Sequence, residues 1–293
     1  MPEPLLFAVP TALEYFATLV ADDASLSLTE AAAAVAQDEF PALDIAAVLA
    51  EVDTLSERLR RRLPADAAPL QRLRLLNRYF FEELGFAGNV NDYYRADNSF
   101  LHVVLETRRG IPITLAVLYI DMAAQIGLQA AGVSFPGHFL VKLQLDRIGR
   151  SAEVIIDPFT GHSLSQEELA DRLAPYKANR GLTGPFDVPL GLFLQSATPR
   201  EVLARMLRNL KEIHRSTQDW PRVLAVQRRL TILLPDAFEE LRDRGLAQAE
   251  LGLVTQAIED LSGYLRLLPD APDRMAIAAR IEQLSGHGGP SLH

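Results

Sequence analysis

The chain contains no cysteine among its 293 residues. That absence removes disulfides, thiolate metal sites and any thiol nucleophile, and it fits a reducing compartment, with the cytoplasm as the expected location. A cationic surplus is missing too, since 29 Lys and Arg stand against 38 Asp and Glu for a formal charge of -9. Nucleic acid is therefore not the expected partner, because a phosphate backbone is held by a surplus of Lys and Arg on some face. The basic run Arg58-Leu-Arg-Arg-Arg62, followed by Pro64, reads as the solvated end of a helix whose cations complement the dipole. No run of eighteen apolar residues occurs, and no basic stretch precedes an apolar one at the amino terminus. Neither a membrane span nor a signal peptide is expected.

What is present has the balance of a globular protein, 48% hydrophobic and 23% charged, with length for two domains or one large one. Up to about residue 62 the apolar positions recur three or four apart: Leu13, Phe16 and Leu19, then Ile45, Val48, Val52, Leu55 and Leu59. These predict helices, with Ser27 and Asp44 in N-cap positions. Pro69 opens another helix that Gly85 ends. Gly88 to Ser99 is turn chemistry, and Phe100 to Leu105 a short helix. Ile113 to Ile126, apolar around most of its circumference and ended by Gly127, predicts a buried helix.

The period then changes. Ala131 to Phe135, His138 to Leu145 and Glu153 to Ile156 alternate as strands, and their order predicts an antiparallel sheet packed on the buried helix, an α+β core. Pro175 to Pro199, rich in Gly and Pro, reads as a connecting segment or covering loop. Beyond it Leu233-Leu-Pro-Asp-Ala237 returns 34 residues later as Leu267-Leu-Pro-Asp-Ala271, which is the tetratricopeptide period. A turn is expected at each Leu-Leu-Pro-Asp, where Pro ends one helix and Asp can cap the next. Small Gly252 and Ala257 allow close helix approach, and Trp220 near the start of a repeat adds to the same reading. The expected organisation is a helical region over 1–90, the core over 91–198, an all-α tail over 199–285 and a disordered end over 286–293.

Three separated segments carry the chemistry: Arg109-Gly-Ile-Pro-Ile-Thr-Leu-Ala116, Pro136-Gly-His138-Phe139 and Ile155-Ile-Asp157-Pro158. They are laid out as a Cys, His, Asp core without its first member. Together with Asp92-Tyr-Tyr94, Asn98-Ser-Phe-Leu101, Arg205-Met-Leu-Arg-Asn-Leu210, Leu241-Arg-Asp-Arg-Gly-Leu246 and Asp260-Leu-Ser-Gly-Tyr-Leu265, they resemble the bacterial SirB-type family from about Asp92 to Leu284. The resemblance implies a papain-like, transglutaminase-like core joined to tetratricopeptide-type repeats. In active relatives a Gly-x-Cys opens the core helix, His lies on the next long strand, and Asp begins an Asp-Pro turn one strand later. Gly110-Ile111-Pro112 fills the first slot, so Pro112 stands at the nucleophile position, Ala116 matches the small residue one turn on, and His138 and Asp157 fill the remaining slots.

Thr114 is the hydroxyl nearest the helix start, but it sits about 200° around the helix from position 112; its ordinary reading is a cap or a backbone-bonded core hydroxyl. Ser134 has no geometric support as a nucleophile. His138 and Asp157 are expected to share a hydrogen bond, as a site remnant or as a polar pair fixing strand register. His102, His138, Asp157 and His162 lack ligand spacing on any one element, so no metal and no cofactor is expected. Arg108 and Arg109 could hold an anion at the helix start, although ordinary surface pairing is the better expectation.

Two functions follow. The first is a non-enzymatic, protein-binding or regulatory protein that recognises a protein or peptide partner through its repeats, for which the resemblance suggests regulation of gene expression or virulence. The second is a hydrolase or acyltransferase with His138 as base, Asp157 as its orienter, and water or Thr114 attacking. Nothing in the sequence sets an oligomeric state.

Overall fold

The capping box of Thr11 and Glu14 starts α1 (Ala12–Leu19), and α2 spans Leu28–Ala34 without a side-chain bond from Ser27. Asp44 does cap α3 (Ile45–Arg60), its carboxylate accepting from the Ala47 amide at 3.1 Å. Proline opens α4 (Pro69–Asn77). That helix is prolonged through Arg78–Glu83 by a wider turn, in which the Leu84 amide reaches back five residues to the Tyr79 carbonyl, before Gly85 turns the chain at φ 73°. The computed structural model describes residues 10–147, 150–184 and 187–287.

Two short strands, β1 (Ala87–Gly88) and β2 (Arg109–Gly110), pair in parallel on either side of α5 (Leu101–Thr107). They deliver the chain into α6 (Pro112–Gln125). Ile113, Leu115, Val117, Leu118 and Met122 are all buried there, as the apolar circumference predicts. This helix packs against α2, α3, α4 and α5 and against the sheet. The sheet is antiparallel throughout, in the order β3 (Gln129–Val133), β4 (Leu140–Arg147), β5 (Arg150–Ile156), β6 (Ser163–Leu164). The α+β core of the sequence analysis is the fold observed.

Helix α7 (Gln166–Asn179) begins with a capping box of Ser165 and Glu168 and runs through Pro175. The connecting segment expected from Pro175 therefore starts a turn later; a proline deep in a helix forfeits one hydrogen bond, and the packing of Leu169 and Leu173 against Val133, Leu140 and Ile155 of the sheet offsets that loss. His138 also differs from expectation. It sits in the turn before β4, its amide donating to the Phe135 carbonyl at 3.0 Å, because Pro136 and Gly137 (φ 73°) delay strand entry.

All described elements after Thr198 are helical: α8 (Pro199–Ser216), α9 (Trp220–Leu233), α10 (Phe238–Glu250), α11 (Val254–Leu267) and α12 (Arg274–His287). The turns fall at the two Leu-Leu-Pro-Asp segments as expected. Asp236 does not cap, however, since α10 begins behind Ala237 with no side-chain bond. Gly245, rather than Gly252, is the close-approach residue: a Cβ there would lie 2.8 Å from Leu261, while Gly252 serves a turn at φ 71°.

The chain divides into two units, one of residues 27–36 and 42–206, the other of 10–26, 37–41 and 207–287, with the division inside α8. The described residues 10–90 are thus divided between the two units. In the helical unit α1 packs on α9, and the fully buried Arg229 holds Asp38 with two hydrogen bonds of 2.7 and 2.8 Å while lying over the Phe16 ring. The expected disordered end falls largely on 288–293, outside the described residues.

Candidate functional site

Pro112 is the first residue of α6, a place proline fits because its missing amide hydrogen would have no intrahelical partner. Thr114 is fully buried, and its hydroxyl has no hydrogen-bond partner. It is neither a cap nor a backbone-bonded hydroxyl, and no base is within reach to activate it.

Asp157 follows β5 and is 6% exposed. Its backbone closes a tight loop, with the amide donating to the His162 carbonyl at 2.9 Å and the carbonyl accepting from Gly161 at 2.8 Å, which is the Asp-Pro turn the motif implies. Each carboxylate oxygen is engaged within this unit. Oδ1 accepts from the Phe159 amide at 3.0 Å and Oδ2 from Arg172 Nη1, also at 3.0 Å. The hydrogen bond expected between His138 and Asp157 is not formed; Arg172, presented by α7, holds that carboxylate instead. His138 is exposed. Its partial burial, then the Arg172 guanidinium, holds the imidazole below its ordinary pKa, with Arg205 adding to the effect and Asp157 pulling the other way. At neutral pH this favours an uncharged ring.

Three further side chains complete the neighbourhood. Arg205 Nη2 donates to the His138 carbonyl at 2.8 Å, and its guanidinium lies over the Phe139 ring. Tyr93 sits 5.9 Å from Phe159, centroid to centroid, and 5.2 Å from Tyr94. The loop bearing the two tyrosines is fastened by buried Asn98, which donates to the carbonyls of Asp92 and Tyr93 and accepts from Asn89, while the Asn98 carbonyl accepts from the Ile111 amide just ahead of α6. Phe159 is fixed from the other side, its carbonyl accepting from the Gly88 amide at 2.9 Å and its ring filling the space where a Gly88 Cβ would be. Two loops, one from Asp157 and one from Asn98, thereby converge on the approach to α6. Arg172, Arg205 and Tyr93 were not singled out in the sequence, although Tyr93 and Arg205 lie within motifs that carried the resemblance.

The remaining candidates separate. Arg108 ends α5 at φ 59°, lies over Phe86 and pairs with Glu51 at 3.5 Å, and Arg109 donates to the Gly85 carbonyl, so both follow the surface-pairing expectation. Among the described residues no three His, Asp or Glu side chains are grouped to hold a metal ion.

Residues 46–208 match the transglutaminase-like superfamily, and residues 210–282 match a tetratricopeptide repeat. A UPF0162 protein of Xylella fastidiosa (strain Temecula1) is 38% identical over 265 residues, covering 90% of this chain and 92% of its own. One from Pseudomonas aeruginosa is 27% identical over 267 residues, or 91% and 94%. F-box only protein 21 of mouse is 33% identical over 145 residues, 48% of this chain and 21% of that protein. No solved structure matches the chain. The chain belongs to the transglutaminase-like superfamily, with a tetratricopeptide-type region after its core, and having no cysteine it lacks the nucleophile that an active enzyme of this kind requires.

Proposed function

We propose that this is a non-enzymatic, protein-binding or regulatory protein of the SirB type, working in the cytoplasm, in which a degenerate transglutaminase-like core and a helical-repeat tail recognise a protein or peptide partner. The observation that carries this is the engagement of Asp157 by Arg172, together with the proline that opens α6. Two of three catalytic parts are thus withdrawn, one by replacement and one by a competing cation. Stacked helix pairs of the tail are a recognition architecture, which supports the binding half of the proposal. Among the described residues no helix is long and apolar enough to cross a membrane.

The test is direct. Purified protein is incubated with a glutamine-donor peptide and a fluorescent primary amine, and separately with an activated ester. Amine incorporation and ester hydrolysis should stay at the level of the His138→Ala variant. Turnover that disappears with His138→Ala would overturn the proposal and favour a hydrolase or acyltransferase in which His138 activates water.

A further inference from the structure

Around His138 the charges do not cancel. The fields of two guanidiniums, Arg172 and Arg205, and of one carboxylate, Asp157, reach the imidazole. That carboxylate is buried and committed to Arg172. Arg205 is half-buried and forms no ion pair among the described residues; its contacts are a carbonyl, the Phe139 ring and the neighbourhood of Tyr93. A guanidinium has five donors in a rigid fork suited to a carboxylate, and a partly desolvated one gains from a counter-charge what an exposed one loses to screening.

Beside this cation lies uncovered apolar surface. Tyr94 is 81% exposed and Tyr93 42%, and Tyr93 continues through its ring contact into Phe159. Solvent exposure of adjoining aromatic rings on a loop pinned by a buried asparagine is unlike scattered single exposure, and it marks an interaction surface. The net charge of -9 does not argue against an anionic visitor here, because screening over about 8 Å at physiological ionic strength leaves the local guanidiniums dominant.

We propose that this face docks an acidic, aromatic-bearing peptide segment of a partner protein, one carboxylate seated on Arg205 and an aromatic side chain laid on Tyr93 and Tyr94. The assignment is argued from charge complementarity, and it rests on the protein-binding reading above, whose partner class it names. Arg172 keeps Asp157 from repelling the incoming carboxylate, so the pair that disables the catalytic arrangement also makes the site receptive to an anion.

The experiment uses the full chain and fluorescence anisotropy with three fluorescein-labelled decapeptides: one alternating glutamate with phenylalanine, one with lysine in place of glutamate, and one with serine in place of phenylalanine. The first should bind at least about tenfold more tightly than either control, a ratio within reach of one charge-assisted contact. Arg205→Gln and Tyr94→Ser should each weaken it by about fivefold or more, the second in an exposed residue whose loss does not threaten folding. Equal affinity for the three probes, absence of saturable binding, or affinity unchanged in both variants would overturn the docking site. So would self-association of the chain that Arg205→Gln abolishes, since the occupant would then be a second copy. Selective binding that ignores both variants sinks this site alone and leaves the protein-binding reading standing, whereas turnover in the acyl-transfer assay sinks that reading.

Discussion

Arg172 Nη1 donates to Asp157 Oδ2 at 3.0 Å, and His138 forms no hydrogen bond with that carboxylate. The acid that a His-based site would use to orient its imidazole is held by a guanidinium on α7. This ion pair leaves the histidine without an orienting acid, and Arg205, on the His138 carbonyl, is the cation that the pair does not neutralise.

Arg172→Met leaves the Asp157 carboxylate buried with the Phe159 amide as its one remaining partner among the described residues. Breaking such a pair should destabilise the protein by about 2–3 kcal/mol, at the low end for a buried pair because Arg172 keeps some solvent contact. The double variant with Asp157→Asn should recover part of that loss. Urea denaturation of the singles and the double measures it; a loss of about 0.5 kcal/mol or less, typical of a surface change, would contradict the role given to Arg172.

Three histidines, His102, His138 and His214, have lowered pKa values, each chiefly through burial. For a base held neutral in the fold, the unfolded chain binds protons first. Stability is then complete above about pH 6.5 and declines as pH falls from there toward the lowered folded values. The melting temperature should drop between pH 7 and pH 5, and His214→Gln should flatten that slope. Stability that rises on acidification through this window would contradict the assignments.

Gly88→Ala places a methyl 2.2 Å from the Phe159 ring, so the ring has to move. A cost of about 1–3 kcal/mol is expected, the usual range for overpacking, together with weaker binding of the acidic aromatic peptide. An unchanged melting temperature would mean that Phe159 is not fixed against β1.

Arg229 is 0% exposed and bidentate to Asp38. Arg229→Met should cost about 2–3 kcal/mol, since the Asp38 left without its counter-charge keeps some solvent contact, read as a lower denaturation midpoint of the helical unit. A midpoint within the spread of surface variants would show that residues 10–26 and 37–41 are not tied to α9 by this pair.

Much of this was legible in local pattern. Alternation in Val141, Leu143 and Leu145 marked β4, the unbroken apolar stretch marked α6, and the 34-residue return of Leu-Leu-Pro-Asp-Ala marked the paired helices. What escaped depends on distance or on competition. Nothing links Arg172 to Asp157 fifteen residues earlier, and α7 was hidden because Pro175 reads as a breaker, although Ser165 and Glu168 spell a capping box at its start. The allegiance of α1 to the helical unit is set by Arg229, more than two hundred residues away from Phe16. At the site, His138 and Asp157 were found by motif, while the residue that decides their relationship carried no motif.

If position 112 is a vacated nucleophile position served by His138, a thiol placed there should behave as a catalytic one. In a chain without cysteine, Pro112→Cys creates a single thiol at the first residue of α6, where the helix terminus favours the thiolate and an imidazole facing it would favour it further. The rate of iodoacetamide alkylation is measured against pH, with circular dichroism to show that the variant folds. The predicted profile titrates well below the free-thiol value of about 8.5, and His138→Ala slows the reaction at pH 6. A thiol that titrates at its ordinary value, indifferent to His138→Ala, would show that position 112 does not face the histidine and that the degenerate-site account is wrong.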